Sequence, residues 1–337
     1  MKVLVTGGAG YVGGVSVDAI LAAGHDVIVL DDLTTGHGPA VNLQARLVEG
    51  SYAAEQAVRQ LLRDERIDAI LHCAARSLVG ESMSNPAKYY RDNVAGGIAL
   101  LEAAREAGVG RVVFSSTAAT YGVPDTTPIA EDAPLRPINT YGETKRAFEG
   151  ALRWYGHAYG LRSVILRYFN VAGATERLGE AHTPETHLIP NVLLAAEGGP
   201  ALTLFGEDYP TPDGTPIRDY IHVADLADAH LAALLATDPA DARTGPVGGG
   251  PTEPVICNLG TSTGFSVRDV LTAAEVIVGA PIPRTVGPRR AGDPPVLVAS
   301  NQRAMDVLGW TPRRSTLPVM IGSAWAWRQD HPAGYGD

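Results

Sequence analysis

The sequence predicts an α/β fold: a Rossmann-type doubly wound parallel sheet with a smaller, interleaved C-terminal domain. Short apolar runs alternate with helical stretches in the first half of the chain, as in β-α-β units. The runs are KVLVTG, DVIVLDDL, IDAILHCAA, RVVFSST and SVILRYFN. Each run is continuously apolar, as expected of strands that are covered on both faces. A glycine-rich turn follows the first run directly, and together these three observations predict the fold.

Composition and charge restrict the class of protein. The chain has 337 residues, of which 45% are hydrophobic and 19% charged, enough for one large two-lobed unit or two modest domains with a sizeable core. A formal net charge of −10 argues against general nucleic-acid binding. The sequence has no apolar run of about 18 residues, so we expect no membrane span, and the short apolar start does not fit a signal peptide. We therefore expect a cytoplasmic protein with Cys73 and Cys257 as buried free thiols.

The glycine-rich turn predicts a dinucleotide site. Gly7, Gly10 and Gly13 lie between the first strand and the first helix, where the amides of Tyr11 and Val12 can approach a pyrophosphate. Asp31 ends the next strand, 18 residues after Gly13, where a carboxylate can accept hydrogen bonds from ribose hydroxyls and repel a ribose phosphate. This pattern favours NAD over NADP. The alternatives are a glycine turn that only packs helix on strand, and an aspartate that only forms a turn.

A tyrosine and a lysine stand four residues apart in TYGETK, which places Tyr141 and Lys145 on one face of a helix. A phenol has an ordinary pKa near 10, so it acts as a base at neutral pH only where a nearby cation favours the phenolate. Lys145 supplies such a charge. Thr117, at the strand end FSST, carries a hydroxyl that can bridge a reacting hydroxyl and Tyr141. The alternative is a partly buried tyrosine beside a solvated lysine.

The character of the chain changes at about residue 175. ERLGEAHTPETHLIPN and FGEDYPTPDGTPIRDY are rich in Pro, Gly and charge, which predicts loops over a site. VADLADAHLAALLA and VICNLG indicate a return to the first lobe, and DPADARTGPVGGGPTEP is typical of a flexible surface insertion. We therefore expect one domain from residues 1–175 plus about 220–262, and another from about 176–219 plus 263–337.

At this point the chain resembles the extended short-chain dehydrogenase/reductase superfamily and, within it, the UDP-glucose 4-epimerase (UDP-galactose 4-epimerase) family. The resemblance runs nearly end to end. The sequence carries it in VLVTGGAGYVG, GHDVIVLDDL, VGES, FSSTAATYG, TYGETK, LRYFNVAGA, FGEDYPTPDGTPIRDYIHVADLADAH, NLGTSTGFSV, PRRAGDPP and HPAGYGD. The resemblance implies an NAD-binding Rossmann domain followed by a nucleotide-sugar-binding domain.

The activity that the resemblance implies is reversible interconversion of UDP-glucose and UDP-galactose. C4 is epimerised through a 4-keto intermediate, with transient reduction of bound NAD. Tyr141, Lys145 and Thr117 are then the catalytic residues. The implied cofactor-binding residues are Gly7, Gly10, Tyr11, Val12, Gly13, Asp31, Asp32, Thr34, Thr35, Gly36, Ser51, Tyr52, Ala74, Ala75, Ser77, Asn93, Tyr141, Lys145 and Phe169. The implied substrate-binding residues are Thr117, Tyr141, Asn170, His187, Leu188, Phe205, Arg218, Arg290, Asp293 and Leu297. Arginine suits the diphosphate, since its planar fork donates two parallel hydrogen bonds.

Three positions depart from the family. Ser51 follows Gly50 where the family commonly has an aspartate near the adenine, and Ser77 stands where many members have a lysine, with Arg76 one residue earlier. Leu297, at the position that gates sugar size, is neither bulky nor small. His182 and His187 lack a cysteine or an acidic cluster with metal-ligand spacing, so we predict no metal site.

Several alternatives share this fold. An epimerase of UDP-N-acetylhexosamine or UDP-uronate, or a decarboxylase that acts on UDP-glucuronate, uses the same first oxidation. A 4,6-dehydratase needs an acid and a base after the strand-end threonine, where this chain has Ala118 and Ala119. A catalytically inactive NAD-binding regulatory protein belongs to another class, and has no need of the Tyr/Lys/Thr set.

The resemblance also implies a homodimer through the helices near Asn93 and Tyr141. The apolar face Phe148, Leu152, Tyr155 and Tyr159 serves either that contact or the core.

Overall fold

A computed structural model of the chain describes residues 1–246, 250–290 and 293–336. The strands in chain order are β1 (Lys2–Thr6), β2 (Asp26–Asp31), β3 (Arg46–Glu49), β4 (Ala69–His72), β5 (Arg111–Thr117), β6 (Arg162–Tyr168), β7 (Asn170–Ala172), β8 (Leu202–Phe205), β9 (Ile217–Arg218), β10 (Tyr220–His222), β11 (Val255–Leu259), β12 (Phe265–Ser266), β13 (Arg284–Gly287) and β14 (Val296–Leu297). The α-helices are α1 (Tyr11–Ala22), α2 (Glu55–Asp64), α3 (Val79–Ser84), α4 (Pro86–Tyr89), α5 (Gly96–Ala107), α6 (Thr140–Tyr159), α7 (Leu188–Ala196), α8 (Val223–Ala236), α9 (Val267–Val278), α10 (Gln302–Leu308) and α11 (Leu317–Asp330).

The centre of the fold is a seven-stranded parallel sheet in the order β11-β6-β5-β4-β1-β2-β3. The chain runs outward from β1 to β3, then crosses back to β4 and continues to β6 and β11. The strand order therefore reverses between β1 and β4. In open α/β sheets, ligands bind at the carboxyl ends of the strands beside such a reversal. The predicted doubly wound Rossmann-type sheet is confirmed.

Apolar side chains cover both faces of this sheet. One core lies between the sheet and α1 and α8, and includes Val5, Val29 and Leu234. The other core lies against α2, α5 and α6, and includes Ile70, Phe114 and Phe148. These strands read as continuous apolar runs because each must meet a helix layer on either side.

A third core lies outside the large sheet. It is formed mainly by α7, α9 and α11, with Leu193, Leu271 and Met320 at its centre. Three small sheets accompany it, in the orders β10-β7, β12-β9-β14 and β13-β8. The antiparallel pair of β12 and β9 sets Phe265 opposite Arg218, and so joins the two predicted parts of the C-terminal region.

The loop expected over residues 176–191 is wrong at its end, because α7 begins at Leu188. His187 caps this helix with an extended backbone, and Ile189, Val192 and Leu193 turn into the third core. The predicted surface insertion includes residues 247–249, which lie outside the described residues. Its flanks pack on the first lobe, where Thr252 donates a hydrogen bond to the carbonyl of Leu161. None of the described helices is both long enough and apolar enough to cross a bilayer.

Candidate active site

The carboxyl edge of the large sheet borders a cleft of about 1090 Å³. The turn between β1 and α1 forms one wall. Gly7 has a φ of +74°, and a Cβ on Gly13 would lie 2.0 Å from the carbonyl oxygen of Gly7, so glycine is required at both positions. The backbone is therefore exposed to the cleft where α1 begins at Tyr11, and the first-turn amides are available to a pyrophosphate. This turn, Gly7–Gly13, forms a glycine cradle that fits a dinucleotide.

Asp31 lies at the end of β2, where its side chain is nearly buried. Its two carboxylate oxygens accept hydrogen bonds from the amides of Ala9 at 3.0 Å and Leu33 at 2.9 Å. Burial raises the pKa of this carboxyl, and the two amide hydrogen bonds oppose that rise. Since each oxygen keeps a second lone pair and the residue borders the cleft, the carboxylate can also accept from ribose hydroxyls.

The start of α6 is held against the end of β5. Asn139 caps the helix by accepting a hydrogen bond from the amide of Gly142 at 2.8 Å. A Cβ on Gly142 would lie 2.4 Å from the carbonyl oxygen of Ala119, so the glycine lets the helix approach the turn after Thr117. This close approach places Tyr141, in the first turn of α6, beside Thr117 at the wall of the cleft.

The hydroxyl of Tyr141 faces the side chain of Thr117. Burial raises the pKa of Tyr141 to about 12, and the polar interaction with Thr117 opposes that rise. Burial therefore outweighs the effect of Thr117 when the cleft is empty, and acidification of the phenol by a nearby cation stays a prediction. The positive end of the α6 dipole, at which Tyr141 lies, favours the phenolate.

Lys145 lies on the same face of α6 as Tyr141, but its ammonium contacts the neighbouring strand. Its Nζ donates a hydrogen bond to the carbonyl of Ser115 at 2.8 Å and lies 5.9 Å from the centroid of the Tyr141 ring. Lys145 is 3% exposed, and burial lowers the pKa of its ammonium to about 8, against the opposing effects of Cys73 and Glu149. The cation thus lies on the predicted helix face, but its hydrogen bond is made to the strand and not to the phenol.

The loop after β4 is organised by Asn93. Its side chain accepts from the amide of Arg76 at 2.8 Å, and donates to the carbonyl of Arg76 at 2.9 Å and to Thr144 at 3.1 Å. Arg76 contacts Asp92 at 3.0 Å and Asp32 at 3.5 Å. The cation beside Ser77 therefore borders the cleft but is held by two carboxylates.

A second cleft, of about 630 Å³, lies beside the first. Arg218 forms an ion pair with Asp293, and the guanidinium carbon of Arg290 lies 4.1 Å from the centroid of the Phe205 ring. Asn170 and His187 line this cleft and border the first cleft as well. The two clefts therefore meet.

The structure brings most of the predicted residues to these two clefts. Lining the first are Gly7, Gly10, Tyr11, Val12, Gly13, Asp31, Asp32, Thr35, Gly36, Ser51, Tyr52, Ala74, Ala75, Ser77, Thr117, Tyr141, Lys145, Phe169, Asn170, His187 and Arg290. Lining the second are Asn170, His187, Leu188, Phe205, Arg218, Arg290 and Asp293. Thr34, Asn93 and Leu297 line neither. Leu297 pairs with Arg218 across β14 and β9, next to the second cleft. Their direct contacts with ligand stay predictions.

The sequence analysis missed a polar cluster at the rim of the first cleft. Glu180 and Glu185 lie against His182 and His187, so the premise that these histidines lack acidic partners is wrong. Burial favours neutral forms, but hydrogen bonds from both histidines lower the pKa of Glu180 to about 2, and the two carboxylates raise the pKa of His187 to about 10. In the sequence, the pattern that could have indicated this cluster is EAHTPETH, in which two glutamates and two histidines occur within eight residues.

Comparisons with known proteins agree with this geometry. A family model described as the NAD dependent epimerase/dehydratase family matches residues 3–245. The UDP-glucose 4-epimerase of Lactobacillus helveticus is 48% identical over 343 residues, covering 100% of each chain. The crystal structure of UDP-glucose 4-epimerase from Brucella ovis in complex with NAD has a TM-score of 0.91 and 42% identity, covering 96% of this chain and 97% of that one. The enzyme from Bifidobacterium longum in complex with NAD+ and UDP has a TM-score of 0.90 and 33% identity, covering 99% and 100%.

Proposed function

The chain belongs to the NAD dependent epimerase/dehydratase family, and from that premise we propose that it interconverts UDP-glucose and UDP-galactose by inverting C4 of the sugar. It is an NAD-dependent isomerase. The names of its full-length relatives favour this activity over the N-acetylhexosamine and uronate alternatives and over an inactive regulatory protein.

One observation carries the proposal: the two clefts meet, and Tyr141 and Thr117 line the first of them. The shared boundary consists of Asn170, Val171, Thr186, His187 and Arg290. Two nucleotide ligands can therefore lie end to end, one along each cleft. The sugar then reaches the Tyr141 hydroxyl. A protein that only bound a dinucleotide would not require a second cleft that leads to this hydroxyl.

NAD, when bound, would supply the acceptor for a hydride from C4 of the sugar and the donor for its return to the other face of the same carbon. We propose that the Gly7–Gly13 turn holds its pyrophosphate and that Asp31 holds the adenosine ribose. Lys145 borders the same cleft and offers an ammonium with two remaining donors to the other ribose. The remaining predicted cofactor residues line the same wall and form part of this proposal.

Tyr141 removes the proton from the sugar 4-hydroxyl and later returns it. Thr117 shares the hydrogen bond and aligns the sugar hydroxyl with the phenol. Burial disfavours the phenolate, whereas a cation held beside Tyr141, from Lys145 or from bound NAD, would favour it.

The second cleft anchors the nucleotide. We propose that Asn170, Arg218 and Arg290 bind the diphosphate, with Asp293 at the uridine ribose, while His187 and Leu188 offer main-chain groups. Phe205 limits the space in this cleft, and Leu297 lies behind it, paired with Arg218. Epimerisation requires that the ring turn over within the site, so binding energy is best used on the nucleotide and little on the sugar.

We further propose the two-domain division of the sequence analysis, residues 1–175 plus about 220–262 and about 176–219 plus 263–337, since the third core is separate from the cores of the large sheet.

A homodimer through α5 and α6 is also proposed. Phe148 and Leu152 belong to the subunit core, whereas Trp154 and Tyr159 are exposed on α6 and available for that contact. Two free cysteines support a reducing, cytoplasmic compartment.

The test is to incubate purified protein separately with UDP-galactose, UDP-N-acetylgalactosamine and UDP-glucuronate, without added NAD, and to separate the products by ion-pair chromatography. The proposal requires UDP-glucose to form from UDP-galactose faster than the other two substrates are epimerised. Conversion of only the N-acetylated sugar or the uronate would overturn the assigned substrate, and no conversion of any would overturn the enzymatic assignment.

A further inference from the structure

The segment between β7 and α7 brings two carboxylates and two imidazoles together. Glu180, His182, Glu185 and His187 each offer one ligand atom, and all four atoms lie within 4.8 Å of one another. Within the described residues this is the group that combines imidazole nitrogen with carboxylate oxygen at such spacing. The proposed epimerisation assigns no role to Glu180, His182 or Glu185.

Individual distances show how closely the ligand atoms converge. Glu180 Oε1 lies 3.1 Å from His182 Nδ1 and 2.7 Å from His187 Nδ1. Glu185 Oε1 lies 2.9 Å from His187 Nδ1. In a four-coordinate zinc site with bonds of about 2.0–2.2 Å, adjacent ligand atoms are about 3.4 Å apart. Shifts of an ångström or so in flexible side chains convert the cluster into that geometry.

Exposure is divided between the two kinds of side chain. Glu180 and Glu185 are each 8% exposed, whereas His182 is 36% and His187 49% exposed. The carboxylates therefore form the inner side of the cluster, and the imidazoles leave an approach from solvent. The amides of Thr186 and His187 both donate to Glu185 Oε1 at 2.7 Å, which fixes the orientation of that carboxylate as outer contacts do in metal sites.

The donor set selects the class of cation. Two imidazole nitrogens and two carboxylate oxygens suit Zn²⁺ and its transition-metal neighbours, whereas Mg²⁺ and Ca²⁺ prefer ligand sets made of oxygen. Two negative carboxylates and two neutral imidazoles balance a charge of +2. The cation takes the place of the protons that the side chains now share, and these protons pass to solvent.

We infer that Glu180, His182, Glu185 and His187 form a binding site for one divalent transition-metal cation of the Zn²⁺ class, at the rim that the two clefts share. The bound ion links the start of the segment, at Glu180, to the first residue before α7, at His187. It therefore orders the wall formed by Thr186 and His187, which borders both clefts. The inference does not depend on the epimerase activity.

The test uses tag-free full-length protein, because an affinity tag would itself bind metal. The protein is stripped with a chelator, titrated calorimetrically with Zn²⁺ and then with Mg²⁺, and assayed for bound metal by mass spectrometry after desalting. Glu180→Gln and His182→Ala remove one ligand each. His157→Ala is the matched control, because His157 is an exposed imidazole that contacts the carboxylate of Glu253. His187 is left intact, since its main chain borders the substrate cleft.

We expect about one equivalent of Zn²⁺, a loss of affinity of at least about tenfold in Glu180→Gln and in His182→Ala, and no change in His157→Ala. Co²⁺ bound in place of Zn²⁺ should give a visible absorption band that both ligand variants lose. Circular dichroism and bound NAD content verify that each variant is folded. The inference is overturned if folded wild-type protein retains no stoichiometric Zn²⁺, if the two ligand variants bind like the wild type, or if Mg²⁺ binds equally well.

Discussion

Lys145 donates a hydrogen bond from Nζ to the main-chain carbonyl of Ser115 at 2.8 Å, and so fastens α6 to the strand that ends at Thr117. One turn earlier on the same helix, the Tyr141 hydroxyl meets the Thr117 side chain. The helix therefore positions Tyr141 and the strand positions Thr117, and the Lys145 hydrogen bond keeps the two elements together.

Removal of the Tyr141 hydroxyl should abolish most turnover without loss of bound NAD. Tyr141→Phe lowers kcat by about 100- to 10,000-fold, because general acid–base catalysis contributes that much. Bound NAD, measured by chromatography after denaturation, stays near the wild-type level.

The matched control is Tyr121→Phe, since Tyr121 is a buried tyrosine whose hydroxyl donates to Asn258 Oδ1 at 2.7 Å. The hydroxyl also accepts a hydrogen bond from Arg167 at 2.9 Å, so this variant should lose about 1–3 kcal/mol of stability while it keeps its turnover. Near-normal kcat in Tyr141→Phe, or an equal loss in Tyr121→Phe, would contradict the assignment of the base.

Burial of Lys145 predicts a pH-dependent difference in stability. Its pKa is about 8 in the folded protein and near 10.5 when exposed. Between these values the unfolded chain binds a proton that the folded protein has released, so folded stability rises with pH. In NAD-free protein, wild type should gain up to about 3 kcal/mol over Lys145→Met as pH rises through this window, because each pKa unit corresponds to about 1.4 kcal/mol.

Urea unfolding midpoints at several pH values measure this difference, and it should be flat below about pH 8. Lys88→Met controls for removal of a partly exposed ammonium, which in the wild type pairs with Glu81 at 2.6 Å. A difference that stays constant or falls between about pH 8 and pH 10 would show that the folded protein does not depress the pKa of Lys145.

The glycine cradle predicts that a single methyl group disables cofactor binding. Gly13→Ala should lose bound NAD and at least about 2 kcal/mol of stability, because its Cβ would lie 2.0 Å from the Gly7 carbonyl oxygen. Gly322→Ala, in α11, meets open space and should be neutral or slightly stabilising. Cofactor content and urea unfolding report both effects. Retention of NAD by Gly13→Ala would mean that the pyrophosphate lies elsewhere.

Arg290 and its neighbour Arg289 allow a matched test of substrate anchoring. Arg290 borders both clefts, whereas Arg289 contacts Asp208 at 2.6 Å and stacks on Tyr209. Arg290→Ala should raise KM for the UDP-sugar about 10- to 100-fold, because it loses a charge-assisted contact present in both ground and transition states. Its kcat should change little.

Arg289→Ala should leave both constants near wild type. Steady-state kinetics with UDP-galactose distinguish the two variants. If kcat falls in Arg290→Ala while KM stays the same, the arginine acts on the reacting atoms and not as an anchor.

The sheet and the catalytic helix were predictable from the sequence because their signals are local. Continuous apolar runs mark strands with two covered faces, and a four-residue spacing places Tyr141 and Lys145 on one side of α6. The glycines report a close approach between neighbouring segments, which the 2.0 Å contact at Gly13 explains.

The remaining features depend on contacts between distant segments. The sequence spacing of Asn93 gives no sign that its amide is used by Arg76 and Thr144. The direction of the Lys145 ammonium depends on a carbonyl 30 residues earlier. The start of α7 at Leu188 and the Glu180/His187 contact depend on how an irregular segment folds over the cleft, which no periodicity describes.

The most direct test of the central claim follows hydrogen at C4. UDP-galactose deuterated at C4 is incubated with purified protein in ordinary water, and the product is analysed by NMR and mass spectrometry. Removal and return of the same hydrogen within one closed site predict UDP-glucose that retains deuterium at C4. Product with hydrogen from solvent at C4 would contradict the account, because the bond would then have been broken by proton exchange.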